Sequence, residues 1–216
     1  MFQTLVDVNA RKYMVWEEIL KSEFTLNKGD MFWQDTLRRS SEYTKDIKCG
    51  RSAFQPMSKT FAACYEKMFN EHGLSIDASH AVSILFKEHG RSEIFQDAID
   101  LFSQLDSSYR VWISSDTDRD MIQPLLSYFK HELSFISEEI GAYKQDEEGR
   151  FFEHILIKTK VRPEEILHVG DGLADIIGAK RAGIDACWIN RENKEWVHDI
   201  TPDYTIRSLV ELIDIV

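Results

Sequence analysis

One stretch constrains this chain more than any other: Ile166 to Gly183, with the apolar run just after it. Ile166 to Val169 is short and apolar, as expected of a strand buried on both faces. It stops at Gly170-Asp171. A helical pattern follows, with Ile176, Ile177 and Ala179 apolar and Lys180 and Arg181 polar. Gly183 ends it, the usual residue for a left-handed helix stop. Ala186-Cys-Trp-Ile189 is a second apolar run. Strand, turn, helix and strand in this order predict a βαβ unit of a parallel sheet.

Two carboxylates stand at the working end of that unit. Asp171 falls at the carboxyl end of the strand, where open α/β sheets bind their ligands. Asp175 lies one helical turn further, so both can face one crevice. Such a pair repels unless a cation sits between its members, and hard oxygen ligands suit Mg²⁺. The alternative is structural: Asp171 caps the helix and Asp175 is a solvated first-turn acid.

Composition narrows the partners. With 216 residues and 43% hydrophobic content, the chain can bury one sizeable core, or a core plus a small second domain. A net charge of -11 argues against nucleic acid or an anionic membrane as partner. The expected ligand is a small anionic molecule held by a few local positive groups. Cys49, Cys64 and Cys187 form no CxxC pair, so no disulfide framework or zinc site is indicated and a reducing cytoplasm fits. No signal peptide or membrane span is visible.

Before residue 93 the chain reads as helical. Apolar positions recur at helical spacing from about Ala10 to Leu20, Phe32 to Tyr43, Ala53 to Phe69 and His80 to Lys87. The aromatic stripes of residues 12–92 suit the core of a small bundle. After Gly90 the period changes. Helices at Phe95 to Leu105, Asp120 to Phe129 and Phe151 to Lys158 alternate with strands at Tyr109 to Ile113 and Phe135-Ile136. The βαβ unit follows, then a strand at Tyr204 to Ile206 and a helix at Leu209 to Ile215. The alternation predicts a doubly wound, Rossmann-like parallel sheet built from residues 1–11 and 93–216, with a helical insert at 12–92.

Two more groups fall at strand ends. Ser114 and Ser115 follow Val111 to Ile113, where a hydroxyl and nearby backbone N–H groups can hold an anionic oxygen, or where Ser-Ser-Asp-Thr-Asp can cap the next helix. Lys144 lies in an acidic loop expected to open on the same sheet edge as Ser114 and Asp171. Arg38, Arg39, Lys45 and Arg51 in the insert are further candidates for gripping an anion, against the alternative of solvated surface charges.

Together these groups resemble the haloacid dehalogenase-like hydrolase superfamily. Ser114 matches the second of its four motifs, Lys144 the third, and Gly170-Asp-Gly-Leu-Ala-Asp175 the fourth, GDxxxD. The resemblance continues through Gly178 to Gly183 and Trp188 to Arg191, and makes residues 12–92 look like a C1 cap. It implies an Asp nucleophile that forms a covalent intermediate. Ser114 and Lys144 would hold phosphoryl oxygens, and Asp171, with Asp175, would hold Mg²⁺. If Thr4-Leu5-Val6-Asp7 is the end of the first motif, the nucleophile falls one residue before Met1, the central strand is absent and the chain as given is inactive. Phe2 then replaces the phosphatases' general acid, as in the dehalogenase branch. In a second register Met1 to Val6 is that strand and Asp7 the nucleophile. The expected function is a Mg²⁺-dependent phosphatase of a small phosphorylated metabolite. The alternatives are a metal-independent 2-haloacid dehalogenase and a non-catalytic binding protein.

Overall fold

The computed structural model describes residues 1–216. A short strand, β1 (Val6–Asp7), pairs antiparallel with β2 (Glu93–Ile94). This ribbon stands where the chain enters and leaves a helical unit of α1 (Lys12–Leu20), α2 (Leu26–Lys48), α3 (Met57–Glu71) and α4 (Ala78–His89). Helix α2 runs well past the apolar stripe that announced it. Thr25 caps it by accepting from Lys28 N, and Arg38–Glu42 and Arg39–Asp35 pairs lace its polar face. Helix α3 begins later than its pattern implied, because Pro56 is extended (φ −65°, ψ 158°) and holds the preceding residues off the helix. The helices close over Trp16, which stacks on Phe32 at 5.0 Å and meets Tyr65 edge-on at 5.5 Å.

The remainder alternates. In order come α5 (Gln96–Gln104), β3 (Trp112–Ser115), α6 (Arg119–Leu126), β4 (Leu133–Ile136), α7 (Ser137–Ile140) and α8 (Arg150–Thr159). Then follow β5 (Leu167–Gly170), α9 (Leu173–Arg181), β6 (Asp185–Ile189) and β7 (Tyr204–Ile206). Strands β3 and β4 pair in parallel, as do β5, β6 and β7. Helix α9 ends at the left-handed Gly183 (φ +75°). The tail at Leu209–Asp214 is a 3₁₀ turn rather than the expected α-helix, being shorter than two α-helical turns.

Side chains of β6 alternate between two cores. Ala186 and Trp188 pack with Phe152, Ile155 and Ile176, while Cys187 and Ile189 join Leu209, Leu212 and the core of the helical unit. The strand is therefore covered on both faces, as a doubly wound sheet requires. The architecture is a Rossmann-like α/β core with a helical cap. One feature departs from the expected continuous sheet. β3–β4 and β5–β6–β7 are separate sheets, and an apolar slot of about 480 Å³ lies between β3 and β5. No helix is long and apolar enough to cross a membrane.

Candidate active site

The carboxyl ends of β3 and β5 and the loop after α7 converge on one buried cluster of charge. Lys144 Nζ donates to Asp175 Oδ1 at 2.7 Å, and both side chains are buried. His168 Nε2 lies 2.9 Å from the same oxygen. The other carboxylate oxygen, Oδ2, accepts from Gly172 N at 3.3 Å. Asp171 Oδ1 accepts from the Thr4 hydroxyl at 2.8 Å. Ser114, half-buried at the end of β3, accepts at its carbonyl from the Met1 ammonium at 3.2 Å. Asp116 accepts from Lys144 N at 2.9 Å, which fixes the loop that carries the lysine. Serine, lysine and both acids thus meet at one end of the sheet, as their order in the chain implied.

Two close approaches make this geometry possible. A Cβ at position 170 would lie 2.1 Å from Asp175 Cγ, and one at position 178 would lie 2.1 Å from the Lys144 carbonyl oxygen. Only glycine lets α9 seat so close to the end of β5 and to the Lys144 loop. Arg191 secures the remaining side. Its guanidinium pairs with Asp97 at 2.5 Å, donates to the Thr4 carbonyl at 2.8 Å and lies 4.0 Å from the centre of the Phe95 ring.

The electrostatics divide the acids. Burial alone would raise the Asp175 carboxyl, but the Lys144 ammonium and His168 outweigh it and hold the group well below the usual carboxylate range. Burial and the charge of Asp175 push Asp171 the other way, upward, despite the Thr4 hydrogen bond. Burial opposes the charge on Lys144, yet Asp175 and Asp116 raise its ammonium above the ordinary value. Burial and Lys144 push the Met1 ammonium down to about 5.

This division bears on the expected metal site. Asp175 has both oxygens hydrogen-bonded, Oδ1 to Lys144 and His168 and Oδ2 to Gly172 N. Asp171 has only one oxygen hydrogen-bonded and is short of positive charge. No three His, Cys, Asp or Glu side chains are arranged to hold one metal ion between them, so there is no all-protein cage. One under-compensated carboxylate at a strand end fits Mg²⁺, which keeps most of its waters and takes one or two carboxylates.

Other candidates lie elsewhere. Asp7 accepts from Gln3 Nε2 at 3.2 Å and Asn9 N at 2.8 Å, within the β1 ribbon. Met1 to Leu5 form a turn, not a strand of the parallel sheet, so the second register for the first motif finds no support. Arg38, Arg39 and Arg51 pair with Asp35, Glu42, Glu71 and Asp46, and Lys45 is exposed. Sequence reasoning overlooked Thr4, His168 and Asp116. For His168 a signal existed: it stands two residues before Gly170 and so shares its face of β5.

Comparison with known proteins places this arrangement. The family model described as haloacid dehalogenase-like hydrolase matches residues 1–183. The putative HAD-hydrolase YfnB of Bacillus subtilis is 34% identical over 138 residues, 60% of this chain and 57% of that protein. The pyrimidine 5'-nucleotidase YjjG of Escherichia coli is 36% identical over 91 residues, 41% of this chain and 38% of that protein. The matched stretches thus span little more than half of these relatives or less. A crystal structure of YfnB bound to magnesium superposes with a TM-score of 0.79 at 22% identity, covering 100% of this chain and 95% of that one. The L-2-haloacid dehalogenase of Xanthobacter autotrophicus does so at 0.79 and 17%, covering 99% and 94%. On a family match across most of its length, the chain belongs to the haloacid dehalogenase-like hydrolases.

Proposed function

We propose that the chain serves the Mg²⁺-dependent hydrolysis of a small phosphorylated metabolite. The observation that carries this reading is the pairing, at one sheet end, of a buried ammonium held by Asp175 with an under-compensated carboxylate, Asp171. Asp171 would hold the Mg²⁺, which when bound screens an anionic phosphate from an anionic nucleophile. Lys144 stays protonated beside Asp175 and Asp116, so it can grip a phosphoryl oxygen through transition-state charge build-up. Ser114 offers a hydroxyl to another. Asp175 and His168 act as positioning residues. The helical unit, residues 12–92 in this reading, covers the site and excludes water. Asp7 is not assigned as the attacking carboxylate, since it bonds to Gln3 and Asn9. The bare thiols Cys49, Cys64 and Cys187 fit a reducing cytoplasm.

Because YjjG is named a pyrimidine 5'-nucleotidase, nucleoside monophosphates are the first substrates to try. A metal-independent dehalogenase is the second reading, favoured by Phe2, which packs on His89 at 5.4 Å and supplies no acid. The acidic Asp171 speaks against it. Titrating inorganic phosphate with and without Mg²⁺ tests the choice. Phosphate binding that requires Mg²⁺ and disappears in Asp171→Asn supports the first reading. Metal-free turnover of a 2-haloacid would overturn it.

A further inference from the structure

The helical unit brings one cation to the site that the chemistry above leaves idle. Lys48 ends α2 and is half-buried, yet it has no acidic partner. Every other lysine or arginine that is not exposed pairs with a carboxylate. Acids outnumber bases 37 to 26 in this chain, so carboxylates are not scarce. A charge drawn partly out of water without a counter-charge is unfavourable, and an arriving anion relieves it.

The surroundings of Lys48 tie it to the loop of Lys144. Its carbonyl accepts from Glu147 N at 2.9 Å, which joins the end of α2 to that loop. Its ammonium lies 5.8 Å from the centre of the Tyr143 ring, within cation–π reach. That ring is buried, 5.0 Å from the Phe54 ring, and its hydroxyl donates to the Gln55 carbonyl at 2.7 Å. Tyr143 immediately precedes Lys144. A fixed aromatic floor therefore carries the Lys48 charge beside the segment that supplies the buried ammonium of the site. The charge is also felt at Asp116, two residues beyond Ser114. Burial raises the Asp116 carboxyl, and Lys144 and, less strongly, Lys48 oppose that rise. The two lysines differ in one respect: Lys144 is matched by Asp175, and Lys48 is matched by nothing.

We infer that Lys48 sets specificity by binding a second anionic group, a carboxylate or a further phosphate, on the part of the substrate away from the phosphoryl group. This rests on the reading of the site given above and narrows its substrate class to small phosphorylated compounds with two anionic ends. It ranks them above phosphate esters of neutral alcohols, nucleoside monophosphates included.

The test uses the full chain and phosphonates, which bind without containing an ester to cleave. Calorimetry with and without Mg²⁺ compares phosphonoacetate, 3-phosphonopropionate and 4-phosphonobutyrate with the alkylphosphonates of the same chain lengths. At least one of the acids should bind at least about tenfold more tightly than its uncharged-tail counterpart, the worth of one charge-assisted hydrogen bond. Lys48→Gln should abolish that preference and leave alkylphosphonate affinity unchanged, and Lys48→Arg should keep it. Lys45→Gln, which removes an exposed charge from the same helix, should not alter it. No preference for the acids, a preference that survives Lys48→Gln, or equal losses in Lys45→Gln and Lys48→Gln would each overturn the inference. An equal fall for both classes of phosphonate in Lys48→Gln would do so too, since packing on Tyr143 alone predicts it. Mg²⁺-dependent binding of both classes without preference would overturn this inference and leave the reading of the site standing. A preference that Lys48→Gln removes but Mg²⁺ does not affect would support Lys48 and count against the metal-dependent reading. Absence of binding by either class would overturn both.

Discussion

The helical unit and the α/β unit of this molecule bury different things. Between Lys12 and His89 the interior is mostly hydrocarbon and aromatic rings: Trp16, Phe32, Tyr65, Met68 and Leu85 are all at most 2% exposed, and the one buried charged side chain, Glu88, pairs with Arg11. Its buried imidazole, His89, makes no hydrogen bond and is pushed by burial down to about 3, so it is kept neutral. The α/β unit instead buries charge. Lys144 and Asp175 are buried, with Asp116 half-buried beside them, at the end of a sheet that is itself divided. The first region gains stability from packing. In the second, buried charges face desolvation costs that only mutual pairing offsets, and the return is a positioned ammonium.

The comparison can be broken most decisively at Lys144. Lys144→Ala leaves Asp175 buried with only His168 and Gly172, and should cost about 3–5 kcal/mol in chemical denaturation. A loss under about 1 kcal/mol would mean that this charge is not held by pairing. In the helical unit, Met68→Ala should cost about 2–5 kcal/mol through the cavity it leaves, with no change in phosphate binding. A matching fall in phosphate affinity would show that the two regions are not separable in this way.

A third experiment sharpens the contrast through pH. The folded state keeps His89 neutral down to about 3, whereas the unfolded chain takes up a proton below 6.5. The unfolded state therefore binds more protons in this window, and stability falls as pH falls from 6.5 toward 3. The contribution is about 1.4 kcal/mol per pH unit between roughly pH 5.5 and 4.5. Denaturation curves of His89→Leu should be shallower on this acid limb than those of the parent.

The smallest effect concerns the contact between the two regions. Pro56 has no side chain with which to cap α3. Asp118 caps it from the α/β unit, accepting from Met57 N at 2.6 Å and Ser58 N at 2.8 Å. Asp118→Ala should cost about 0.5–2 kcal/mol, and hydrogen exchange should rise at the first turn of α3. An effect confined to α6, where Asp118 also stands at the start, would remove this link.

Much of the fold was legible because local and global signals agree. Ile166 to Gly183 forms its strand and helix as read, and the strand at Tyr204 to Ile206 falls where the sequence placed it. The convergence of Ser114, Lys144, Asp171 and Asp175 followed from strand ends facing one way. The partners were less legible, since they come from distant residues. Nothing near Asp118 says that its carboxylate reaches α3, and nothing near Thr4 points to Asp171. Spacing shows that Asp171 and Asp175 share a face, not that a lysine from a distant loop meets Asp175. The arginines of α2 looked available until their own helix and α3 supplied acids for them. The divided sheet was legible only as a missing partner.

Gly170 and Gly178 act on α9 as a pair of stops. With hydrogen alone at both positions, the helix slides in until its Asp175 side chain meets the strand end on one side and its own backbone meets the lysine loop on the other. The separation of ammonium and carboxylate is then inherited from where a rigid rod comes to rest, not chosen by rotamers. A single methyl at residue 178 would work as a wedge, shifting helix, acid and loop together.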